Sequence, residues 1–199
     1  MARRPRPTRP GRRPGQGNLV RIIGGEHGGR RLHFPSAAGL RPTADRVRET
    51  LFNWLQPCLP GSRCLDLFAG SGALGLEAAS RGAAGVVLLE REPRVARRLR
   101  ENVELLGLGQ VSVVEADALN WLRTDPRQFD ILFLDPPFGG DLMTAACRLL
   151  AQGHWLAPGA RIYLEMDASS PLPPLPREWR PLREKRAGQV CYYLFAGPE

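Results

Sequence analysis

The sequence contains few cysteines, and their spacing matches neither a metal site nor a disulfide framework. Cys58, Cys64, Cys147 and Cys191 form no Cys-x-x-Cys pair and have no histidine cluster near them in the sequence. Zinc sites and disulfide-stabilised folds depend on such spacings. We therefore expect four reduced thiols and no bound metal.

Long apolar runs are also absent. No run approaches the roughly 18 residues that a membrane-spanning helix needs, and the basic N-terminus lacks the apolar segment of a secretory signal. The chain has 199 residues, of which 43% are hydrophobic and 24% are charged, close to the composition of average globular proteins. These features predict a cytoplasmic globular protein with one main domain and no membrane partner.

Acidic residues are too few to balance the basic ones. Lys and Arg number 28 against 20 Asp and Glu, so the formal net charge is +8. Residues 1–17 contain six arginines and no acid, and their Pro, Gly and Arg content predicts a disordered basic tail. The excess positive charge predicts a polyanionic partner. We divide the chain into this tail, a hairpin and helix extension at 18–57, and a main domain at 58–199.

The main domain alternates between strand and helix patterns, which predicts an α/β fold with a doubly wound, mostly parallel sheet. The predicted strands are RCLDLF, VVLLE, VSVVE, DILFLD, ARIYLEM and QVCYYLFA, and the predicted helices cover about 72–81, 93–106 and 141–152. In the extension, residues 19–35 predict a hairpin. The segment TADRVRETLFNWLQ predicts an amphipathic helix with Thr43 as its N-cap.

A glycine-rich loop follows the first strand of the main domain. Gly70, Gly72 and Gly75 form the pattern G-x-G-x-x-G between a strand and a helix, which is typical of nucleotide-type cofactor sites. Glu90 ends the next strand about 20 residues later, where a carboxylate accepts hydrogen bonds from ribose hydroxyls. A dinucleotide and an adenosyl cofactor satisfy these features equally, and a tight strand-to-helix turn is the alternative without a ligand.

Acidic residues end four consecutive strands or follow within the next turn: Asp66, Glu90, Asp117 and Asp135. Carboxylates repel the pyrophosphate of a dinucleotide, but they attract the sulfonium and ammonium groups of S-adenosylmethionine. We expect Asp66 to lie near the ammonium group and Asp117 to accept from the adenine amine. For Asp117, an ordinary helix N-cap is the alternative.

The fourth strand ends in the tetrapeptide Asp135, Pro136, Pro137 and Phe138. Two prolines fix the backbone and leave carbonyls that only accept hydrogen bonds, while Phe138 offers a flat apolar face. Asp135 and the Pro136 carbonyl would accept both hydrogens of an exocyclic amine and direct its lone pair at a methyl donor. The tetrapeptide therefore predicts methyl transfer to the amine of a base, although a proline-stiffened strand exit is the alternative.

These two motifs resemble those of class I, Rossmann-like S-adenosylmethionine-dependent amino methyltransferases. More narrowly, RIIGG (21–25), LRPTADRVRETLFNWL (40–55), LDLFAGSGALGLEAASRGA (65–83) and REKRAGQV (183–190) resemble the RsmD family, and the likeness runs from Val20 to Phe195. The resemblance implies the strand order 3-2-1-4-5-7-6 with the last strand antiparallel. It also implies S-adenosylmethionine as cofactor and methylation of the N2 amine of guanine 966 in 16S rRNA. The partner would be small-subunit ribosomal RNA or the assembling small ribosomal subunit, bound by a monomer.

The resemblance and the motifs together give the candidate site residues. The catalytic set is Asp135, Pro136, Pro137 and Phe138. The cofactor set is Asp66, Phe68, Ala69, Gly70, Ser71, Gly72, Glu90, Asp117 and Ala118. The RNA-binding set is Arg21, Arg30, Arg31, Arg41, Thr43, Arg46 and Arg48, for which solvated arginines on a packed helix are the alternative.

Three other functions are consistent with some of these motifs. A NAD-dependent oxidoreductase would use the glycine loop and Glu90, but it leaves the tetrapeptide and the acids unexplained. A DNA adenine or cytosine amino methyltransferase shares every generic motif, yet about 40 residues outside the core leave little room for a target-recognition domain. A non-catalytic RNA-binding protein would need neither the loop nor the tetrapeptide.

Overall fold

The computed structural model describes residues 18–36, 43–124, 126–137 and 141–199. The predicted basic tail at 1–17, Arg41 and Phe138 lie outside the described residues. The elements are β1 (Asn18–Arg21), β2 (Arg31–Phe34), α1 (Asp45–Leu55), β3 (Arg63–Asp66), α2 (Gly75–Ser80), β4 (Gly85–Glu90), α3 (Pro93–Leu106), β5 (Val111–Glu115), α4 (Ala118–Trp121), β6 (Phe129–Leu134), α5 (Leu142–Gln152), β7 (Leu156–Asp167), β8 (Arg180–Ala187) and β9 (Val190–Ala196).

Seven strands form one sheet in the order β5-β4-β3-β6-β7-β9-β8. The first five of these are parallel, and β9 pairs antiparallel with both β7 and β8. The Rossmann-like α/β fold and its implied strand order are therefore confirmed. The strand β8 is the one that the residue pattern did not reveal, because most of its side chains are exposed and charged rather than alternating.

Helices cover both faces of the sheet, and each face has its own apolar core. One core joins the β1–β2 hairpin, α1, α2 and α3 to side chains such as Cys64, Phe133 and Tyr163. The other joins α4 and α5 to the alternate strand positions, such as Leu132 and Leu164. Because the hairpin and α1 share the first core, they are packed on the domain at the face where Asp66 and Asp135 also point.

Helix α1 begins differently from the prediction. Its N-cap residue is Ala44, and no side chain caps the helix. The Thr43 hydroxyl instead donates a hydrogen bond of 3.2 Å to Oδ2 of Asp135. The prediction that Thr43 caps α1 is therefore wrong, because its hydroxyl is used across the domain rather than within the helix.

A buried ion pair attaches the extension to α2. The carboxylate of Glu77 is fully buried and accepts from the backbone N–H groups of Ile23 and Gly24 at 2.7 and 2.8 Å. The Arg48 guanidinium lies 3.3 Å from the same carboxylate and also donates to the Arg21 carbonyl at 2.8 Å. A folded protein tolerates charged groups this deeply buried only when they are paired and hydrogen-bonded. The pair therefore holds the hairpin, α1 and α2 in a fixed arrangement.

None of the described helices combines the length and the apolar content that crossing a bilayer requires.

Candidate active site

A cavity of about 490 Å³ opens at the carboxyl ends of β3, β4, β5 and β6. From β3 the chain first continues to β4 on one side of it and later returns to β6 on the other side, so the strand order reverses at β3. Ligands bind at the carboxyl ends of the strands at such points in open α/β sheets. Twelve of the predicted site residues line it: Thr43, Asp66, Phe68, Ala69, Gly70, Ser71, Glu90, Asp117, Ala118, Asp135, Pro136 and Pro137.

Two carboxylates hold the glycine loop in place. Glu90 accepts from Gly70 N at 3.0 Å through Oε2 and from Glu92 N at 2.8 Å through Oε1. Asp66 accepts from Gly75 N at 2.9 Å. The loop backbone is therefore positioned before any ligand enters, and Gly70 and Ser71 form part of the cavity wall.

Gly72 does not line the cavity, although it was predicted to bind the cofactor. Its φ is +78°, and an added Cβ would lie 2.7 Å from the Leu99 side chain and 2.8 Å from Leu76. The open side of Gly72 faces the packed helices rather than the ligand space. Its role is to allow the turn and the close packing of the loop on α2 and α3.

Burial changes the acidity of Asp66. Loss of solvent raises the pKa of this carboxyl to about 7, while the backbone N–H groups of Gly75 and Phe68 act in the opposite direction. The nearby carboxylate of Glu90 also contributes to this rise. A cationic ligand would reverse the effect, because it stabilises the ionised carboxylate.

Asp117 caps α4, because its side chain accepts from Asn120 N at 2.9 Å. The N-cap that sequence reasoning held as the alternative is therefore present. Asp117 also lines the cavity together with Ala118, and its contact with an adenine amine stays a prediction.

Asp135, Pro136 and Pro137 follow β6 and line the same cavity as the glycine loop. Burial raises the pKa of Asp135 well above its ordinary value, and the nearby Glu165 carboxylate raises it further. The hydrogen bond from Thr43 acts against both effects. The raised pKa makes Asp135 a stronger base in its ionised form, which a cationic ligand in the cavity would favour.

Glu165 is a site residue that sequence reasoning missed. It lies near the end of β7, is 5% exposed and lines the cavity. The Tyr163 hydroxyl donates to its Oε2 at 2.8 Å. An acid near the end of a fifth parallel strand, after four strands with acids at their ends, was the signal that could have found it.

The cavity is acidic although the chain is basic. Among the described residues, six carboxylic side chains and one arginine line it: Asp66, Glu90, Glu92, Asp117, Asp135, Glu165 and Arg91. This charge favours a cationic ligand and opposes a pyrophosphate.

The predicted RNA-binding residues divide into exposed and buried groups. Arg30, Arg31 and Arg46 are exposed, while Arg21 is half exposed and pairs with Asp45 at 3.0 Å. Arg48 has no exposed surface. The prediction that Arg48 contacts RNA is therefore wrong, because its guanidinium is used entirely inside the protein. Thr43 is also buried and faces the cavity instead of an outer surface.

Known proteins resemble this chain along most of its length. The family model described as conserved hypothetical protein 95 matches residues 20–196. Ribosomal RNA small subunit methyltransferase D of Escherichia coli strain K12 is 48% identical over 176 residues, which cover 88% of this chain and 89% of that protein. The solved structure of Escherichia coli yhhF has a TM-score of 0.86 at 45% identity and covers 91% of this chain and 99% of its own. A T. thermophilus 16S rRNA N2 methyltransferase, solved with AdoMet and guanosine, has a TM-score of 0.65 at 26% identity and covers 92% of this chain and 50% of its own.

Proposed function

The chain belongs to the RsmD family, whose model is described as conserved hypothetical protein 95, and we propose that it methylates the N2 amine of one guanine in small-subunit ribosomal RNA. The cofactor is S-adenosylmethionine. The observation that carries the assignment is that Asp135 and Pro136 line one cavity together with the glycine loop.

The cavity walls fit this cofactor. S-adenosylmethionine supplies an electrophilic methyl group on a sulfonium and carries an ammonium but no phosphate. Asp66 and Glu90 give the cavity negative charge beside the glycine loop. Asp117 lines the cavity after β5, the strand on the far side of β4. The loop N–H groups of Gly70 and Gly75 are already bonded to these carboxylates, so little reorganisation is needed when the cofactor binds.

The tetrapeptide holds the amine that is methylated. Asp135 and the Pro136 carbonyl accept the two hydrogens of guanine N2, which directs the nitrogen lone pair at the methyl carbon. With S-adenosylmethionine bound, the N2–methyl bond would form as the methyl–sulfur bond breaks, and N2 would release a proton. Asp135 is suited to accept that proton, because burial raises its pKa well above the ordinary range.

We propose that exposed basic side chains hold the RNA partner. Arg30, Arg31 and Arg46 are exposed on the extension. Gln189 lines the cavity at the turn of the β8–β9 hairpin, and β8 presents Arg183 and Lys185 to solvent. These cations contact phosphates, while the cavity selects the base, which leaves its stack to enter. We propose that the protein acts as a cytoplasmic monomer on a protein-bearing intermediate of small-subunit assembly.

The test is transfer of tritium from labelled S-adenosylmethionine to small-subunit RNA from cells lacking this gene, followed by nucleoside analysis. We expect N2-methylguanosine at one position, formed faster on assembly particles than on naked RNA. Asp135→Asn should abolish transfer while cofactor binding persists. The matched control is Asp130→Asn, at the opposite end of the same strand, which should transfer normally.

Other outcomes would favour other functions. Label on DNA and none on RNA would indicate a DNA amino methyltransferase with the same chemistry. Binding of NAD without binding of S-adenosylmethionine, measured by calorimetry, would indicate the oxidoreductase.

A further inference from the structure

Glu165 is a buried carboxylate in the cavity to which the proposed reaction gives no role. Its side chain is 5% exposed, it lines the cavity, and it lies in the strand next to the one that leads into Asp135. Polar groups this deeply buried are normally retained with defined hydrogen-bond partners. Glu165 is therefore placed to contact a ligand in the cavity.

The sheet register brings the two carboxylates together. Phe133 pairs with Tyr163 and Leu134 pairs with Leu164 in the parallel β6–β7 ladder. The residues that follow, Asp135 and Glu165, are consequently neighbours at the same edge and point to the same face as Phe133 and Tyr163.

Each of the two carboxylates accepts a hydrogen bond from a neighbouring hydroxyl group. The Thr43 hydroxyl donates to Asp135 Oδ2 at 3.2 Å, and the Tyr163 hydroxyl donates to Glu165 Oε2 at 2.8 Å. Tyr163 itself is fixed by ring contacts with Phe133 and Tyr192. The two acids therefore present hydrogen-bond acceptors in defined places, as a recognition site requires.

In their ionised forms, Asp135 and Glu165 offer only hydrogen-bond acceptors to the cavity that Pro136 also lines, and such a surface fits a ligand edge made only of donors. The N1 and N2 atoms of guanine provide such an edge, with one N–H on N1 and two on N2. Adenine and 2-aminopurine have an unprotonated N1, which is an acceptor and would face the carboxylate lone pairs. Burial raises the pKa of Glu165, so an N–H donor that enters the cavity stabilises its ionised form.

We propose that Glu165 accepts the N1–H of the target guanine, while Asp135 and the Pro136 carbonyl accept the hydrogens of N2. This inference rests on the proposed methylation of guanine and adds a specificity-determining residue to it. Glu165 thus distinguishes guanine from other purines that carry a 2-amine.

The experiment compares guanine with 2-aminopurine, which keeps the reacting amine and turns N1 into an acceptor. Small-subunit RNA is ligated around a synthetic segment with either base at the target position, and kcat/KM is measured for each. The wild-type protein should prefer guanine by about 100-fold or more, as sites built to bond a polar hydrogen do. Glu165→Gln can donate its amide N–H to N1 of 2-aminopurine, so the preference should fall at least tenfold.

Two further variants make the result specific. Tyr163→Phe removes the donor to Glu165 and should lower the preference for guanine by less than Glu165→Gln. Glu178→Gln removes an exposed carboxylate outside the cavity and should keep the wild-type preference. 2-Aminopurine also lacks O6, and this loss affects every variant equally. Only the change in preference between variants is therefore interpreted, because the effect of the missing O6 cancels in that comparison.

The outcomes separate this inference from the proposed function. An unchanged preference in Glu165→Gln, with cofactor affinity intact by calorimetry, would overturn the contact with N1. Loss of cofactor affinity in a folded Glu165→Gln protein would instead assign Glu165 to the cofactor and also overturn it. Failure of the wild-type protein to methylate guanine RNA would contradict the proposed function itself.

Discussion

The Thr43 hydroxyl and the Asp135 carboxylate are separated by 92 residues in sequence and by 3.2 Å in the structure. This hydrogen bond connects the segment before α1 directly to the tetrapeptide after β6. The position of the Asp135 carboxylate therefore depends on a side chain from the segment before α1 as well as on β6.

Replacing Thr43 should affect methyl transfer more than cofactor binding. A hydrogen bond to a charged group contributes about 1.5–3 kcal/mol, so Thr43→Val should lower kcat on RNA roughly tenfold or more. Thr43→Ser keeps the hydroxyl and should retain most of the rate. Thr50→Val, on α1 but outside the cavity lining, is the matched control. Equal kcat in Thr43→Val and wild type would show that the hydrogen bond does not position Asp135.

Arg46 and Arg48 lie two positions apart on α1 and should behave oppositely. Arg48→Ala removes one of the two arginines that pair with the buried Glu77 carboxylate, although Arg81 still pairs with it at 2.6 Å. It also leaves the carbonyls of Arg21 and Thr43 without their donor, and each buried polar group left unpaired costs about 1–3 kcal/mol of the free energy of unfolding. Arg46→Ala removes an exposed side chain and should change stability by less than about 0.5 kcal/mol. Urea unfolding measures both effects.

RNA binding at low salt provides the second readout for this pair. The Arg46→Ala protein should bind more weakly, with a shallower dependence on salt. Destabilisation of Arg46→Ala equal to that of Arg48→Ala would contradict the assigned burial.

Gly75→Ala should disturb the cofactor loop through steric overlap. The added Cβ would lie 2.1 Å from Leu88 Cδ2 and 3.2 Å from Asp66 Oδ2, and overpacking of this kind costs about 1–3 kcal/mol. We expect a lower midpoint of thermal unfolding and weaker binding of S-adenosylmethionine. Gly85→Ala is the control, because nothing lies within 4 Å of its added Cβ. Normal cofactor affinity in Gly75→Ala would show that the loop adjusts without loss.

Asp66 should make both stability and cofactor binding depend on pH. Its pKa is about 7 in the folded protein against an ordinary value of 3.8. The folded state therefore binds the proton more tightly than the unfolded state does. Its contribution to stability is full below the unfolded pKa and is lost as the pH rises to about 7.

The ammonium of S-adenosylmethionine favours ionised Asp66, so the affinity should rise from about pH 5.5 to 7 and then level off. In this range the ligand amine keeps its charge, because the pKa of an α-amine is about 7.7 or higher. Calorimetry in two buffers should detect proton release on binding. Asp66→Asn should lose the pH dependence, and Asp130→Asn should retain it; a persistent rise in Asp66→Asn would assign the titration to another group.

The parts of the fold that sequence predicted best are those with a strong apolar pattern. The helix α3 was predicted within its observed bounds, and β3, β4, β5 and β6 were found within two residues at each end. Strand β8 was missed because it is the outer strand of the sheet, and its side chains face solvent with no alternation. This strand and its place beside β9 were predicted only by the resemblance to the family.

The site was predicted at the level of residues but not of their partners. Arg48 was assigned to RNA because of its charge, although it lies on the helix face of Leu51, Phe52 and Leu55, and this spacing indicates burial. Glu165 was missed because a single acid within an apolar strand forms no motif by itself, although four earlier strands with acids at their ends pointed to it. Its place beside Asp135 follows from the register of β6 and β7, which sequence patterns do not give.

The position of β9 between β7 and β8 constrains the order in which the sheet is completed during synthesis. β8 leaves the ribosome before β9, but its hydrogen-bond partners belong to β9. Until β9 emerges, β7 lacks the antiparallel partner at its outer side, and β8 has no described strand to pair with. Gln189 and Val190, which close one wall of the cavity, reach their places in the same step. A nascent chain that already carries the glycine loop and the tetrapeptide thus acquires the cavity wall at Gln189 and Val190 only when β9 has emerged.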